Sequence, residues 1–561
     1  MKIRNSKLIK ALIVICLVAF IGGFFLVTYQ QVEQGSAKIE SDSDFAKIKA
    51  ESINKKNIIL KVNKKTAYPA EGKYFMSSNM NLMIPSDVVE KNLNCACLKY
   101  KGDTVVVIKG NTKANLKIDS DKVKINGSDY DLKEKVMKKD GVIYIPSSLF
   151  ENYLGFAYNW DNDTYTASLT DTALGNALPT RYNYAEEGRL PKVQDQGQEG
   201  TCWAYATLSA IESSLLPNEN YEFSRKHLVN YSRKLSDNKN GGDYSLSMAY
   251  LAAWKGPVSD NSNGFGKVKK HLQSAQFLTP KDQEEMKRMV FKYGGVETSI
   301  YLQRSVSADG SPYYNSSAAA YAYEGDSEAN HDVVVVGWDD NFPKENFPIN
   351  VKRDGAFICL NSWGKDFGQN GLFYVSYDCV AFGEVSICYT QIDDVNNYDY
   401  IYQSDLCGWT GIMGYKNQSS AYFANVFKAK SDESIKAVGF YATEENSDFE
   451  VFVCDQFKGI NSLSARGRAV AKASYDNKGF YTINLDKPYS IKKGQKFSII
   501  VKAHNSNKKM RLVPVETPSK SGKRKVNLKD GEGYISSDGM NWQSTEKQKC
   551  NVCLKAYTDK R

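Results

Sequence analysis

Cys202, His331 and Asn361 supply, in chain order, the residue types that acyl transfer requires. Cys202 follows Gln196-Gly197-Gln198-Glu199-Gly200-Thr201 and opens a stretch in which Trp203, Ala206, Ala210, Ile211 and Leu215 recur at helical spacing. A thiol placed there sits at a helix N-terminus. Unpaired amide N–H groups and the positive end of the dipole favour the thiolate, which is the nucleophile. His331 is one of only four histidines and leads into the run Val333-Val334-Val335-Val336. That run reads as a buried strand with the imidazole at its start. A second apolar run, Phe357-Ile358-Cys359-Leu360, delivers Asn361-Ser362-Trp363-Gly364. Nucleophile, base and a group to orient the base are therefore all available. Taken singly, each has a plain alternative: Cys202 as buried filler, Gln196 as a loop residue, Asn361 as a turn and Trp363 as core.

Jointly, Gln196 six residues before Cys202, Cys202-Trp203-Ala204, Asn330-His331 and Asn361-Ser362-Trp363-Gly364 resemble the papain-like cysteine peptidases. The resemblance implies a two-lobed domain over 178–392, a helical lobe plus a β-barrel lobe, acting as an endopeptidase on proteins or peptides. It implies that Cys202 attacks as a thiolate paired with the His331 imidazolium, and that Asn361 orients the ring while Trp363 covers that bond. The Gln196 side chain and the Cys202 backbone N–H would form the oxyanion hole. Asn240-Gly241-Gly242 is similar to the family loop that pairs with substrate backbone, where glycine permits close approach. Gly241, Gly242, Asn330, Asp332 and Trp363 are therefore expected at the substrate.

Departures from the pattern carry expectations of their own. Glu199 and Tyr231 stand where many relatives have a disulfide pair. Asp332 occupies a position usually small and apolar that borders the second specificity subsite in the family, so tolerance of a basic substrate side chain is expected there. Phe342 to Asn350 lengthens a loop that would cap the cleft or touch a neighbouring domain. His227, His271 and His504 match no role and read as surface or helix residues.

The elements that must position these residues belong to a multidomain α+β chain, since 561 residues exceed a single core. The net charge of +9 comes from lysines scattered throughout, without a basic run interleaved with aromatics, and nucleic acid is not an expected partner. Cys95-x-Cys97 and Cys550-x-x-Cys553 are the close cysteine pairs. No histidine lies near either, so no metal site is expected. Cys550 and Cys553 read as core and surface residues of a terminal strand.

Lys2, Arg4, Lys7 and Lys10 precede an uncharged run from Ala11 to Val27, so residues 1–28 read as a signal-anchor, or alternatively a signal peptide. This predicts export, with a membrane contact if the segment is uncleaved. Residues 29–54 are polar and charged and read as a flexible tether.

In 55–171, Leu82-Met83-Ile84-Pro85-Ser86 and Ile143-Tyr144-Ile145-Pro146-Ser147 mark an internal repeat of strand, Pro-Ser helix start, helix and strand. It resembles the small α+β domain named after the N-terminus of copper amine oxidases, although residues 55–170 contain no histidine to hold copper. Its expected roles are wall contact or spacing, or shielding of the site.

Residues 393–561 carry short alternating apolar runs that read as a β-sandwich. They resemble the lectin-like domain of some bacterial surface cysteine peptidases. That implies a carbohydrate or cell-wall ligand, with calcium as an occasional cofactor for which no ligands are assignable. A wall-peptide amidase and an inert adhesin are the competing functions. The Gln196 spacing and the complete residue set weigh against each.

Overall fold

The computed structural model describes residues 42–561 apart from 101, 133, 173–177, 237–240, 261–265, 304–309, 506–509, 519–523 and 530–531. The expected signal segment (1–28), and with it the expected membrane contact, lies outside the described residues, as does Asn240. Among the described residues no helix is long and apolar enough to cross a membrane. Asp42–Asn54 is a helix rather than part of a flexible tether. Ala46, Ala50 and Ile53 fall on one stripe. Ala50 and Ile53 are buried, and the Asn54 amide exchanges hydrogen bonds of 2.8 and 2.7 Å with the Met76 backbone.

The chain divides into two compact units, one holding the residues up to Asn94 with Thr112–Gly175, the other Cys95–Asn111 with Asn176–Arg561. In the first unit, strand Leu82–Pro85 runs into helix Ser86–Asn92, and strand Val142–Pro146 runs into helix Ser147–Tyr153. The two copies meet through these equivalent strands, which pair antiparallel with Ile145 opposite Ile84. The proline closing each strand fixes φ and turns the chain into the helix.

Residues 95–111 belong by packing to the second unit. They form a hairpin of Ala96–Lys99 with Thr104–Lys109. Its Ala96, Leu98, Val106 and Ile108 enter the same core as Tyr182, Tyr184 and Phe291, and Tyr100 donates to the Glu187 carbonyl at 2.9 Å.

The second unit also contains a helical group: α1 (Cys202–Leu215), α2 (Arg225–Leu235) and α3 (Tyr244–Ala252). A sheet follows, built from β1 (Lys270–Phe277), β2 (Val296–Ile300), β3 (His331–Asp339), β4 (Ala356–Leu360), β5 (Leu372–Ser376) and β6 (Phe382–Asp394). The C-terminal region adds β7 (Ser420–Lys428), β8 (Glu433–Ala442), β9 (Ser447–Cys454), β10 (Lys478–Ile491), β11 (Lys496–His504) and β12 (Leu554–Lys560).

One continuous hydrogen-bonded path runs β5-β4-β3-β2-β6-β1-β10-β8-β12. The join is the antiparallel pairing of β1 with β10, Ser274 opposite Tyr481 through Phe277 opposite Lys478. The C-terminal sandwich therefore grows from the edge of the sheet that carries His331. Its second sheet contains β9, β11 and β7. Phe423, Phe440, Phe449, Val451 and Ile499 fill the space between the layers.

Several expectations for single residues change here. Phe342, Phe347 and Val351 pack with Ala320, Ala322 and Ala356, and Phe342 stacks on Tyr374 at 4.3 Å, so the lengthened loop covers the outside of the sheet rather than the cleft. His271 is buried rather than exposed, stacked on Trp254 at 3.8 Å and bonded to Asn397 at 2.8 Å. Cys550 and Cys553 are both buried thiols. The short strand Asn551–Val552 and the break before β12 interrupt the alternation that would have exposed one of them.

Candidate active site

Helix α1 starts at Cys202 itself, with Thr201 as its capping position. Trp203, Ala204, Ala206, Ala210 and Ile211 anchor the helix in the core, which fixes where the sulfur stands. Gly242 permits this packing, since a Cβ there would lie 2.4 Å from the Trp203 indole. Farther along α1, the buried Glu212 carboxylate is clamped by the Arg225 guanidinium. Arg225 reaches it with both terminal nitrogens and also bonds Ser209 at 3.0 Å. The Phe223 amide adds a bond of 2.7 Å to Glu212. At the two positions where the family pattern has a disulfide, Glu199 pairs with Arg233 at 3.3 Å and Tyr231 packs on Tyr250.

His331 is the first residue of β3, and Asn361 follows the last residue of β4. Pairing of Val334 with Leu360 brings the two strand ends together. His331 Nε2 and Asn361 Oδ1 are 2.8 Å apart. Because Oδ1 only accepts, Nε2 carries the proton and Nδ1 is left as the basic nitrogen. Trp363 lies 5.0 Å from the imidazole between ring centroids and is held by Phe367 at 5.1 Å.

The Gln196 loop is stitched to the same turn. Its backbone N–H donates to the Ser362 carbonyl at 2.8 Å, Gly364 donates to Gln194 at 3.0 Å, and Ser362 Oγ donates to Gln196 Oε1 at 2.5 Å. Gln196 Nε2 donates one hydrogen to the Glu199 carbonyl at 2.7 Å, and an amide nitrogen carries a second.

Cys202 and His331 line one cavity of about 740 Å³, within the range of ligand sites. Burial, then the Asp332 and Glu297 charges, push the Cys202 thiol up to about 12. The backbone amides of Asp332 and Trp203 hydrogen-bond the sulfur and pull the other way. Burial pushes His331 down to about 4 against the opposing Asn361 bond. Desolvation thus penalises the charged form of each group and opposes the expected thiolate and imidazolium.

Of the residues expected at substrate, Gly242, Asn330 and Asp332 line the cavity. Gly241 is half-buried beside Gly242. The Asn330 amide is engaged at both ends by the Leu302 backbone, at 2.9 and 3.1 Å, so it braces the wall. Asp332 is half-buried, and burial raises its carboxyl to about 7.

The residue that sequence reading missed is Glu297, on β2 and only 3 % exposed. Oε2 accepts from Thr207 at 2.8 Å and Tyr389 at 2.7 Å, while Oε1 has no hydrogen-bond partner among the described residues. The available signal was a lone carboxylate inside the strand-like run Val296-Glu297-Thr298-Ser299-Ile300.

Comparison with known proteins agrees with this architecture. Family models match for the copper amine oxidase N-terminal domain at residues 61–169, the papain family cysteine protease at 178–389 and the lectin-like domain at 401–558. The chain is 26 % identical over 222 residues to cysteine proteinase 15A of Pisum sativum, covering 35 % of this chain and 58 % of that protein. It is 23 % identical over 211 residues to vignain of Vigna mungo, covering 35 % and 53 %. The chain thus spans about half the length of the curated relatives it matches.

A solved structure of the cysteine protease and lectin-like domains of Cwp84, described as a surface layer associated protein of Clostridium difficile, superposes with a TM-score of 0.60 at 22 % identity. The match covers 68 % of this chain and 89 % of that one. A second structure of clostridial Cwp84, a variant after propeptide cleavage, gives 0.61 at 22 %, covering 68 % and 99 %. At this identity the likeness establishes the shared fold. Residues 178–389 of this chain are a papain family cysteine protease domain, preceded in sequence by a copper amine oxidase N-terminal domain and followed by a lectin-like domain.

Proposed function

We propose that the chain is an exported cysteine endopeptidase that cleaves peptide bonds through Cys202, His331, Asn361 and Gln196. The observation that carries this reading is the 2.8 Å bond from His331 Nε2 to Asn361 Oδ1, which leaves Nδ1 basic in the cavity that Cys202 also lines. The thiol proton passes to His331 Nδ1, the resulting imidazolium is stabilised by Asn361, and the Cys202 thiolate attacks the substrate carbonyl carbon.

The oxyanion then takes hydrogen bonds from the Cys202 backbone N–H and the second hydrogen of Gln196 Nε2. Losing one such donor costs about 10²–10³ in rate. Collapse breaks the C–N bond, the Nδ1 proton leaves with the amine, and water hydrolyses the thioester by the reverse proton path. Trp363 shields the histidine–asparagine bond from solvent, and Gly242 lines the cavity that a substrate would enter.

Export is supported by the basic, then apolar N-terminal sequence, and a cell-surface location by the likeness to a surface layer associated protein. The lectin-like domain would supply a carbohydrate or cell-wall contact. Hydrolysis of a casein-type substrate by the full chain and by Cys202→Ala tests the chemistry. Activity in the first alone is expected, and equal activity in both would remove the proposal. Terminal sequencing of the protein from its host tests export and the fate of residues 1–28.

A further inference from the structure

The acidic side chains lining the cavity beside Cys202 outnumber nearby cations, with Glu384 alone paired among the described residues, to Lys281 at 2.7 Å. Asp243, Glu297, Asp326, Glu328, Asp332 and Glu384 line it, and among its described lining residues there is no lysine or arginine. Two of these carboxylates share one face of the sheet. Glu297 pairs with Val334 and Ser299 with Asp332, so Glu297 and Asp332 are diagonal neighbours across β2 and β3.

Glu297 is the innermost of the group. It is 3 % exposed, its Oε2 is held by two hydroxyls, and its Oε1 is unpartnered among the described residues. A buried carboxylate oxygen without a donor is costly, and hydroxyl donors do not neutralise its charge. A cation with N–H donors, of a size that enters the cavity, would supply that contact and favour the ionised carboxylate.

We infer that this cavity is a subsite for the side chain of a lysine or arginine in the substrate, bound by Glu297 and Asp332. The inference rests on the peptidase reading for its substrate but on its own residues for the binding. A guanidinium or ammonium would supply the donor that Glu297 Oε1 lacks. It would also offset the negative charges of Asp332 and Glu297 that oppose the Cys202 thiolate, so that the substrate itself would favour the reactive form.

The test uses the full chain carrying Cys202→Ala, so that nothing is cleaved. Fluorescent blocked peptides carry arginine, its neutral isostere citrulline, or leucine at each position in turn, and binding is read by anisotropy. At one position arginine is expected to bind about tenfold or more tightly than citrulline, and the advantage should disappear in Cys202→Ala/Glu297→Gln. Equal binding of arginine and citrulline at every position would overturn the subsite. That comparison needs no change at Glu297 or Asp332 and stands even if the Glu297 variant fails to fold. An arginine advantage in a chain whose unmutated form cleaves no peptide would support the subsite while refuting the peptidase reading.

Discussion

Glu212, on α1, and Glu297, which bonds Thr207 of α1, are both buried carboxylates, and the protein treats them in opposite ways. Glu212 faces Arg225, which bonds both of its oxygens, and also accepts the Phe223 amide. Glu297 receives hydroxyls from Thr207 and Tyr389 and no cation, with Asp332 close enough to raise its carboxyl further. The first arrangement holds α1 to the start of α2 and is complete within the fold. The second is left incomplete where the cavity opens beside Cys202. A carboxylate buried without its counter-ion is a cost, which a bound cationic group would offset.

Breaking the complete site should give the largest effect. Arg225→Ala leaves Glu212 charged and unpaired, and should cost about 3–5 kcal/mol in urea unfolding, whereas the double change Glu212→Gln with Arg225→Met should cost far less. A small loss in the single variant would mean that the two carboxylates are not distinguished by their partners.

The incomplete site should respond to pH through its ligand. Burial, then Asp332, raises Glu297 to about 8, and burial, then Asp243, raises Asp332 to about 7. Both are increasingly ionised as pH rises from 6 to 9. The preference for arginine over citrulline should therefore grow about tenfold across that window. The groups facing Glu297 are Asp332 from β3, Asp243 before α3, Tyr244 from α3, Tyr389 from β6, and Thr207 and Cys202 from α1, and none of them is a cation that would reverse the sign. A flat preference from pH 6 to 9 would remove the charge argument.

The smallest effect concerns stability without ligand. Because the folded value of Glu297 lies above the ordinary 4.5, folding takes up a proton there. Its contribution to stability is lost as pH rises from about 4.5 through about 8. Glu297→Gln should match the unmutated protein near pH 5 and exceed it in thermal midpoint near pH 9. A destabilised variant at both pH values would place Glu297 with Glu212, as a structural group.

The two carboxylates also mark the limits of what could be read from sequence. Cys202 at its helix start, His331 heading a valine strand and Asn361 closing another were legible because local pattern fixes each element. Gln196 was legible only through its spacing from Cys202. The proximity of Asn361 to His331 and of Gln196 to Ser362 depends on strand register and loop stitching, which chain order does not express.

Glu297 was missed because its significance comes from non-local neighbours: Thr207 lies 90 residues before it and Tyr389 lies 92 after it. The pairing of β1 with β10, which fuses the sandwich to the peptidase sheet, is equally non-local. Asp42–Asn54 was misread because two buried apolar residues are enough to dock a helix that is otherwise charged. The electrostatics at Cys202 were legible only in part: a helix N-terminus favours a thiolate locally, while burial and the nearby acids Asp332 and Glu297 oppose it.

The most direct measurement is alkylation of the intact protein by an epoxide that reacts with activated thiols, with the modified residue mapped by mass spectrometry and residual peptide hydrolysis followed alongside. A single adduct on Cys202, with hydrolysis falling in proportion to labelling, is the predicted result. An adduct confined to another cysteine, or hydrolysis that persists after Cys202 is fully modified, would contradict the account.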